Sequence, residues 1–261
     1  MNKFVVLALS CGLGAAGAYG QDAAQGQSGS AVVAQPPVKP STFKAAYKND
    51  TNGPQLSGPF APAVNHYFEV GGKVGTWSIV GVGRVDSVWS PDKNQENKAG
   101  DHFLKVNTPT IEAGGTKVMS QIRAYTPGSK ASQEKLQDGA LEPRIVVSGK
   151  VGSRLDLQSV LCPKVVAYKA KEDGQALGSV SNIFGASYEI SPKLSLDFLA
   201  VPGVSYTRGQ SAAKFNDLPV YPGVTVNLTD KFAISPWMEI FAAKPKAATS
   251  TVGASVSVVV F

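Results

Sequence analysis

From about residue 178 to its end the chain alternates apolar and polar residues with a period of two, and that pattern restricts its fold more than any other feature. Val180, Phe184, Ala186, Tyr188 and Ile190 share one phase, while Ser181, Gly185, Ser187 and Glu189 share the other. After Ser191, Pro192 and Lys193 the apolar phase resumes with Leu194, Leu196, Phe198 and Ala200, set against Ser195 and Asp197. Val220, Val224, Val226 and Leu228 alternate with Tyr221, Gly223, Thr225 and Asn227. Beyond Thr229, Asp230 and Lys231, the residues Phe232, Ile234, Met238 and Ile240 continue the pattern, as do Val252, Ala254, Val256, Val258 and Val260. Successive side chains of a strand point to opposite faces, so each of these stretches is a strand with one apolar and one small, polar face. Three-residue turns alternate with longer polar segments at 208–218 and 244–250. A chain punctuated in this way goes up and down between neighbouring strands.

Upstream the same reading gives strands at 144–158, 160–170, 117–125 and 103–107, and a segment at 67–89 that is long for one strand and is either a single strand or a hairpin with a glycine-weakened middle. Counting the last once gives about ten antiparallel strands, within a range of 8–12. An even number returns both chain ends to the side of the tight turns. Trp77 and Trp89 share a phase twelve residues apart. At a rise of ~3.3 Å and a tilt of ~40° this is about 30 Å along a barrel axis, the spacing of two aromatic girdles.

The start of the chain reads differently. Lys3 precedes an apolar or small-residue run to Ala18, with small-residue cleavage sites near Ala18 and Gly20, so residues 1–20 are expected to be an export signal. Cys11 offers an alternative, lipid-modified start. Residues 21–64 are rich in Gln, Ala, Gly, Ser and Pro and are expected to form a disordered, flexible lead, because such a composition buries too little apolar surface to offset its ordering entropy. The barrel is expected to occupy 65–261. Without the signal a single cysteine, Cys162, remains, which excludes an internal disulfide and is expected to be a small apolar filler. No later segment reaches the ~18 consecutive apolar residues of a membrane-spanning helix, whereas strands cross a membrane without any such run.

The export signal, the meander with short turns and long loops, and the terminal strand from Val252 to Phe261 together resemble the outer-membrane β-barrel proteins of Gram-negative bacteria. In that family the last strand, typically ending in Phe, is read by the barrel-assembly machinery, which makes Phe261 the assembly signal. Phe261 departs from the family pattern by sharing phase with Ser255 and Ser257. The resemblance implies an all-β, up-and-down antiparallel transmembrane barrel, a periplasmic lead, an outer-membrane location, lipid around the wall and a monomer. It also implies porin-like passage of small solutes or a structural role. The alternatives are a surface-interaction barrel acting through loops 91–102, 126–143 and 208–219, or a soluble secreted β-sandwich.

The side chains of the polar face would then line the interior, and the candidate lumen charges are Arg84, Asp86, Arg123, Lys150, Arg154, Asp156, Glu189, Asp197 and Glu239. They are expected to face one another across the lumen, as salt bridges filling a narrow barrel or as a mixed-charge pathway. Only two histidines exist: His66, at the junction of lead and barrel, and His102, expected as a solvated loop residue. No nucleophile elbow, metal-ligand spacing or phosphate-binding glycine loop is present, so neither an enzyme nor a bound cofactor or metal is expected. The net charge of +6 is scattered rather than clustered, which argues against nucleic acid as a partner.

Overall fold

The structure, a computed structural model, describes residues 6–7, 11–14, 26–29, 34–35, 43–55, 63–90, 93–246 and 250–259. Twelve strands form the wall: β1 (Phe43–Gln55), β2 (Ala63–Val74), β3 (Trp77–Ser90), β4 (His102–Asn107), β5 (Thr116–Thr126), β6 (Gln137–Val151), β7 (Leu155–Tyr168), β8 (Ala176–Ser191), β9 (Leu194–Ala200), β10 (Pro219–Thr229), β11 (Phe232–Phe241) and β12 (Thr251–Val259). Each pairs antiparallel with its sequence neighbour, and β12 pairs with β1 from Thr251 opposite Gln55 to Val259 opposite Ala46, so the sheet closes on itself. Closure gives each of the twelve wall strands a partner on both sides.

The expected count of about ten is corrected to twelve, for two reasons. The stretch 67–89 is a hairpin, because Gly75 takes φ +61° and turns the chain between Val74 and Trp77, which pair directly. In addition, Phe43–Gln55 is a full wall strand although it lies inside the segment read as the lead. Only part of that strand alternates by hydropathy, with Lys48 and Asp50 inside and Tyr47 and Asn49 outside, which hides it from a pattern search. Two other boundaries move. The stretch 144–158 contains the turn at Gly152, Ser153 and Arg154, with Gly152 at φ +65°. Residues 137–143 belong to β6, so the loop read at 126–143 shrinks to 127–136 and carries the short helix Lys130–Glu134. The signal at 1–20, the lead before Phe43 and the terminal Phe261 lie largely or wholly outside the described residues. The exceptions near the N-terminus are two small ladders, pairing Val6–Leu7 with Ala34–Gln35 and Cys11–Gly14 with Gly26–Gly29.

Four shorter strands complete the sheet. Lys93–Ala99 and Ile111–Ala113 continue the line of β4 beyond each end, and Gly203–Thr207 continues β9 along the upper half of β8, with Lys214–Phe215 beside it. The break between β9 and its continuation falls at Val201 and Pro202; a proline has no N–H for the ladder. Five tight connections share one end of the barrel, at residues 75–76, 114–115, 152–154, 192–193 and 230–231. The strand ends that the longer connections join share the other, and of those connections 93–101, 127–136, 169–175, 201–218 and 242–246 are described. Gly114 and Gly115 have φ of +58° and +80°, as a type I′ hairpin turn requires.

The apolar phase faces outward. Phe68, Val70, Ile79, Leu104, Ile122, Ile145, Leu161, Phe184, Leu196 and Phe198 are each more than a third exposed, whereas Asp50, Glu69, Arg84, Arg123, Glu142, Arg144, Asp197 and Ser235 are buried. A soluble sandwich places its apolar faces together; here they surround the sheet and the polar faces point in, as a lipid solvent demands. Trp77 stands on the outer face, and the side chain of Trp89 lies outside the described residues.

Candidate functional site: a charged inner wall

Because alternate residues of each strand point inward, β1 to β6 bring a set of charged side chains onto one continuous inner wall. Glu69 on β2 receives Lys105 Nζ at 3.2 Å and has Lys48 Nζ at 3.8 Å, which joins β1, β2 and β4. Arg84 lies along its own strand, with Nε 2.6 Å from Asp86 Oδ1, and its Nη2 donates to Asn65 Oδ1 at 3.1 Å. Arg123 Nε donates to Gln121 Oε1 at 2.6 Å, again two residues along one strand, and Gln121 Nε2 donates to Asn107 Oδ1 at 2.5 Å. On β6 Arg144 pairs with Glu142, whose other oxygen accepts the Tyr125 hydroxyl at 3.2 Å.

Inward aromatic rings support the cations. The guanidinium of Arg84 lies 5.7 Å from the Tyr67 ring centre, that of Arg123 lies 5.1 Å from Phe103, and Lys164 Nζ on β7 lies 4.6 Å from Tyr125. A cation within about 6 Å of a ring face is attracted by its quadrupole. Every pair given above therefore runs along a strand or between strands no more than two apart. In each of these pairs the partner is a neighbour on the same side of the barrel.

The other side of the interior differs in character. Val160, Cys162, Ile183, Leu199, Val201, Tyr221 and Trp237 form one buried apolar cluster, with Cys162 1% exposed and its thiol directed at the Val160 carbonyl. Towards the tight turns the lining becomes hydroxyl-rich. Asp197 accepts from Ser187 at 2.6 Å and Ser195 at 3.2 Å, and Thr225 and Ser235 are 2.8 Å apart. At the long-loop end Glu239 accepts Tyr221 OH at 2.6 Å and Thr251 Oγ1 at 3.2 Å. The closing seam between β12 and β1 is bridged inside by Trp237 Nε1 donating to Ser255 Oγ, 3.2 Å, and Ser255 Oγ donating to Asp50 Oδ1, 2.6 Å.

Of the nine candidate lumen charges, Arg84, Asp86, Arg123, Asp197 and Glu239 lie on the inner face of their strands. Lys150 and Asp156 pair at 3.2 Å near the tight-turn end, with the lysine 42% exposed. Arg154 is corrected: it belongs to the exposed turn after β6, not to the lumen. Glu189 is half-buried at the same end, where its N–H donates to the Arg154 carbonyl at 2.8 Å. Since a half-exposed ion pair contributes about 0–1 kcal/mol, Lys150→Ala is expected to shift the unfolding midpoint of the refolded protein only marginally. A loss comparable to that of a buried pair would show that the pair is shielded in the membrane.

Glu69, Lys105, Glu142, Arg144 and Lys164 were absent from the sequence expectation. Alternation through Ile145 and Val147 already puts Arg144 and Glu142 in the inward phase, so that signal was available. Lys48 and Asp50 had none, because their strand reads as lead. His102 is also corrected. It opens β4 rather than floating in a loop, and its Nδ1 accepts the Arg84 backbone N–H at 3.1 Å. His66 sits on the outer face of β2, between Tyr47 OH at 2.7 Å and Ser87 Oγ at 3.2 Å. At the long-loop end, Asp101 holds the helix Lys130–Glu134 by accepting Ser129 N–H at 2.9 Å and Ser132 Oγ–H at 2.7 Å. Among the described residues no group of His, Cys, Asp and Glu is arranged to hold a metal ion.

No protein-family model matches the sequence, and no curated protein matches it. Solved structures do. The barrel is similar to the NanC porin at 9% identity and a TM-score of 0.54, over 82% of this chain and 98% of the porin. It is similar to an outer membrane channel from Pseudomonas putida F1 at 8% identity and a TM-score of 0.60, over 86% of this chain and 97% of that one. At such identities the likeness concerns architecture alone, and by that architecture the chain has the fold of an outer-membrane β-barrel protein.

Proposed function

We propose that this barrel sits in the outer membrane as a monomer and passes small solutes in the manner of a porin. The observation that carries the reading is the direction of the charge pairs. Arg84–Asp86, Arg144–Glu142 and Lys48–Glu69–Lys105 run along a strand or between nearby strands, which sets cation and anion sites side by side on the inner wall. Ionisable groups kept inside a membrane-spanning fold, at a desolvation cost, are the usual mark of an ion or solute path. The fold shared with two outer-membrane channels supports the same reading. On this view residues 1–20 direct export, and the last strand with Phe261 engages the assembly machinery.

A second reading, a static barrel with a structural role, is favoured by the depth of burial: Arg123 and Glu142 are each 2% exposed. The full chain, refolded and added to a planar lipid bilayer, distinguishes the two. A channel gives discrete conductance steps, and Arg123→Ala, which removes a wall cation, moves the reversal potential in a salt gradient towards cation preference. A preparation that shows the heat-dependent gel mobility of a folded barrel yet gives no steps above the protein-free bilayer establishes the static reading.

A further inference from the structure

The outer wall is not uniformly ridged. Val70, Gly81 and Leu104 face one another in register across β2, β3 and β4, and Phe68 is opposite Gly83 one row nearer the loops. With two glycines on β3, the side chains of β2 and β4 stand about 10 Å apart, two strand spacings, with bare backbone between them. The result is an outward groove, apolar almost throughout, that ends at His102. Nothing in the barrel's own packing demands glycine at either place: a Cβ at Gly83 meets no atom within 4 Å, and one at Gly81 meets only the Val70 carbonyl, at 3.7 Å. Neither residue has the positive φ that would require glycine. What the glycines provide is the open space.

The end of the groove has a defined chemistry. His102 Nδ1 accepts the Arg84 N–H, so it carries the lone pair, and in the neutral ring Nε2 carries the hydrogen. The ring lines the loop end of the groove, with Gly128 beside it, where a Cβ would meet the Gly100 carbonyl first and come 3.2 Å from Nε2. A one-chain-wide apolar groove with a hydrogen-bond donor at its loop end matches an ester-linked fatty-acyl chain. We propose that the groove seats one acyl chain of a surrounding membrane lipid, with the ester carbonyl accepting from His102 Nε2–H. The inference rests on the reading of the barrel as membrane-embedded, and is independent of whether the lumen conducts.

The test uses the full chain refolded in detergent, with each variant first shown to be a folded barrel by heat-dependent mobility, so that failure to insert is read separately. Dipalmitoyl phosphatidylethanolamine is titrated in and the retained lipid counted by native mass spectrometry, in parallel with the ether-linked analogue, which lacks the carbonyl. One ester lipid per chain is expected, with occupancy reduced about tenfold in Gly83→Leu. The ether lipid should bind the unaltered protein about fivefold more weakly, the worth of one ordinary hydrogen bond. Equal retention by the unaltered protein and Gly83→Leu overturns the groove as the site. Equal retention of ester and ether lipids overturns the role of His102. A dimer that Gly83→Leu dissociates assigns the groove to a second copy of the chain and also overturns the proposal. If Gly83→Leu does not fold, the comparison of ester with ether lipid on the unaltered chain decides alone.

Discussion

Glu142→Leu is expected to destabilise the refolded barrel by about 3–5 kcal/mol, the range measured when one member of a buried ion pair is removed. Glu142 and Arg144 are adjacent inward residues of β6, 2% and 3% exposed, and Glu142 also takes the Tyr125 hydroxyl. Leucine is close to glutamate in volume, so the loss comes from the guanidinium that stays behind without its carboxylate, not from a cavity. The midpoint of guanidinium-chloride unfolding in lipid vesicles measures it. The double variant Glu142→Leu with Arg144→Met separates causes: if the orphaned charge is responsible, the second substitution recovers much of the loss, because a buried pair replaced by apolar residues is often neutral. A double variant as weak as the sum of the singles would mean that the two residues hold β6 through other contacts. The outcome also bears on function, since a wall whose cations are braced this strongly keeps its charge in place whatever passes.

The architecture was largely legible because a barrel imposes one rule on every strand. In β8 to β12 the alternation is clean, and Phe184, Tyr188, Leu196 and Phe198 face outward as their phase requires. The two strands left out of the count of ten were hidden for different physical reasons. Hairpin β2–β3 turns at Gly75 within a run rich in glycine and valine, and no polar cluster marks the bend. Strand β1 carries Asn49 and Thr51 on its outer face, so its hydropathy does not alternate; it is held by the ladders on both sides and by Asp50 within the seam. Composition alone assigns such a segment to a lead. The inner wall was legible only in part. Parity gives which face a charge is on, and Arg84, Arg123 and Asp197 lie buried on the inner face. It does not give the partner, because Lys105 reaches Glu69 across an intervening strand, and the i to i+2 pairs depend on side chains lying along the strand.

Gly253→Leu is expected to prevent closure of the barrel or to destabilise it by more than the 1–3 kcal/mol that overpacking usually costs. Gly253 on β12 lies under the indole of Trp237: a Cβ there would meet the ring, 2.7 Å from Cε2, and the Thr51 carbonyl of the first strand. The rest of the seam depends on the same ring, since Trp237 Nε1 donates to Ser255, which donates to Asp50 on β1. Leucine therefore displaces at once the packing of β12 on β11 and the hydrogen bonds that tie the last strand to the first. The measurement is gel mobility of the unboiled, refolded protein, where a closed barrel runs apart from the boiled chain. Loss of the folded band in Gly253→Leu, with recovery in Gly253→Leu combined with Trp237→Ala, locates the clash at the indole. Loss that Trp237→Ala does not relieve places it at the Thr51 backbone, where the ladder between β12 and β1 has no room for a side chain. A Gly253→Leu protein that closes normally would show that the seam yields by moving Trp237 into the lumen, and so that space is available inside the barrel at that height.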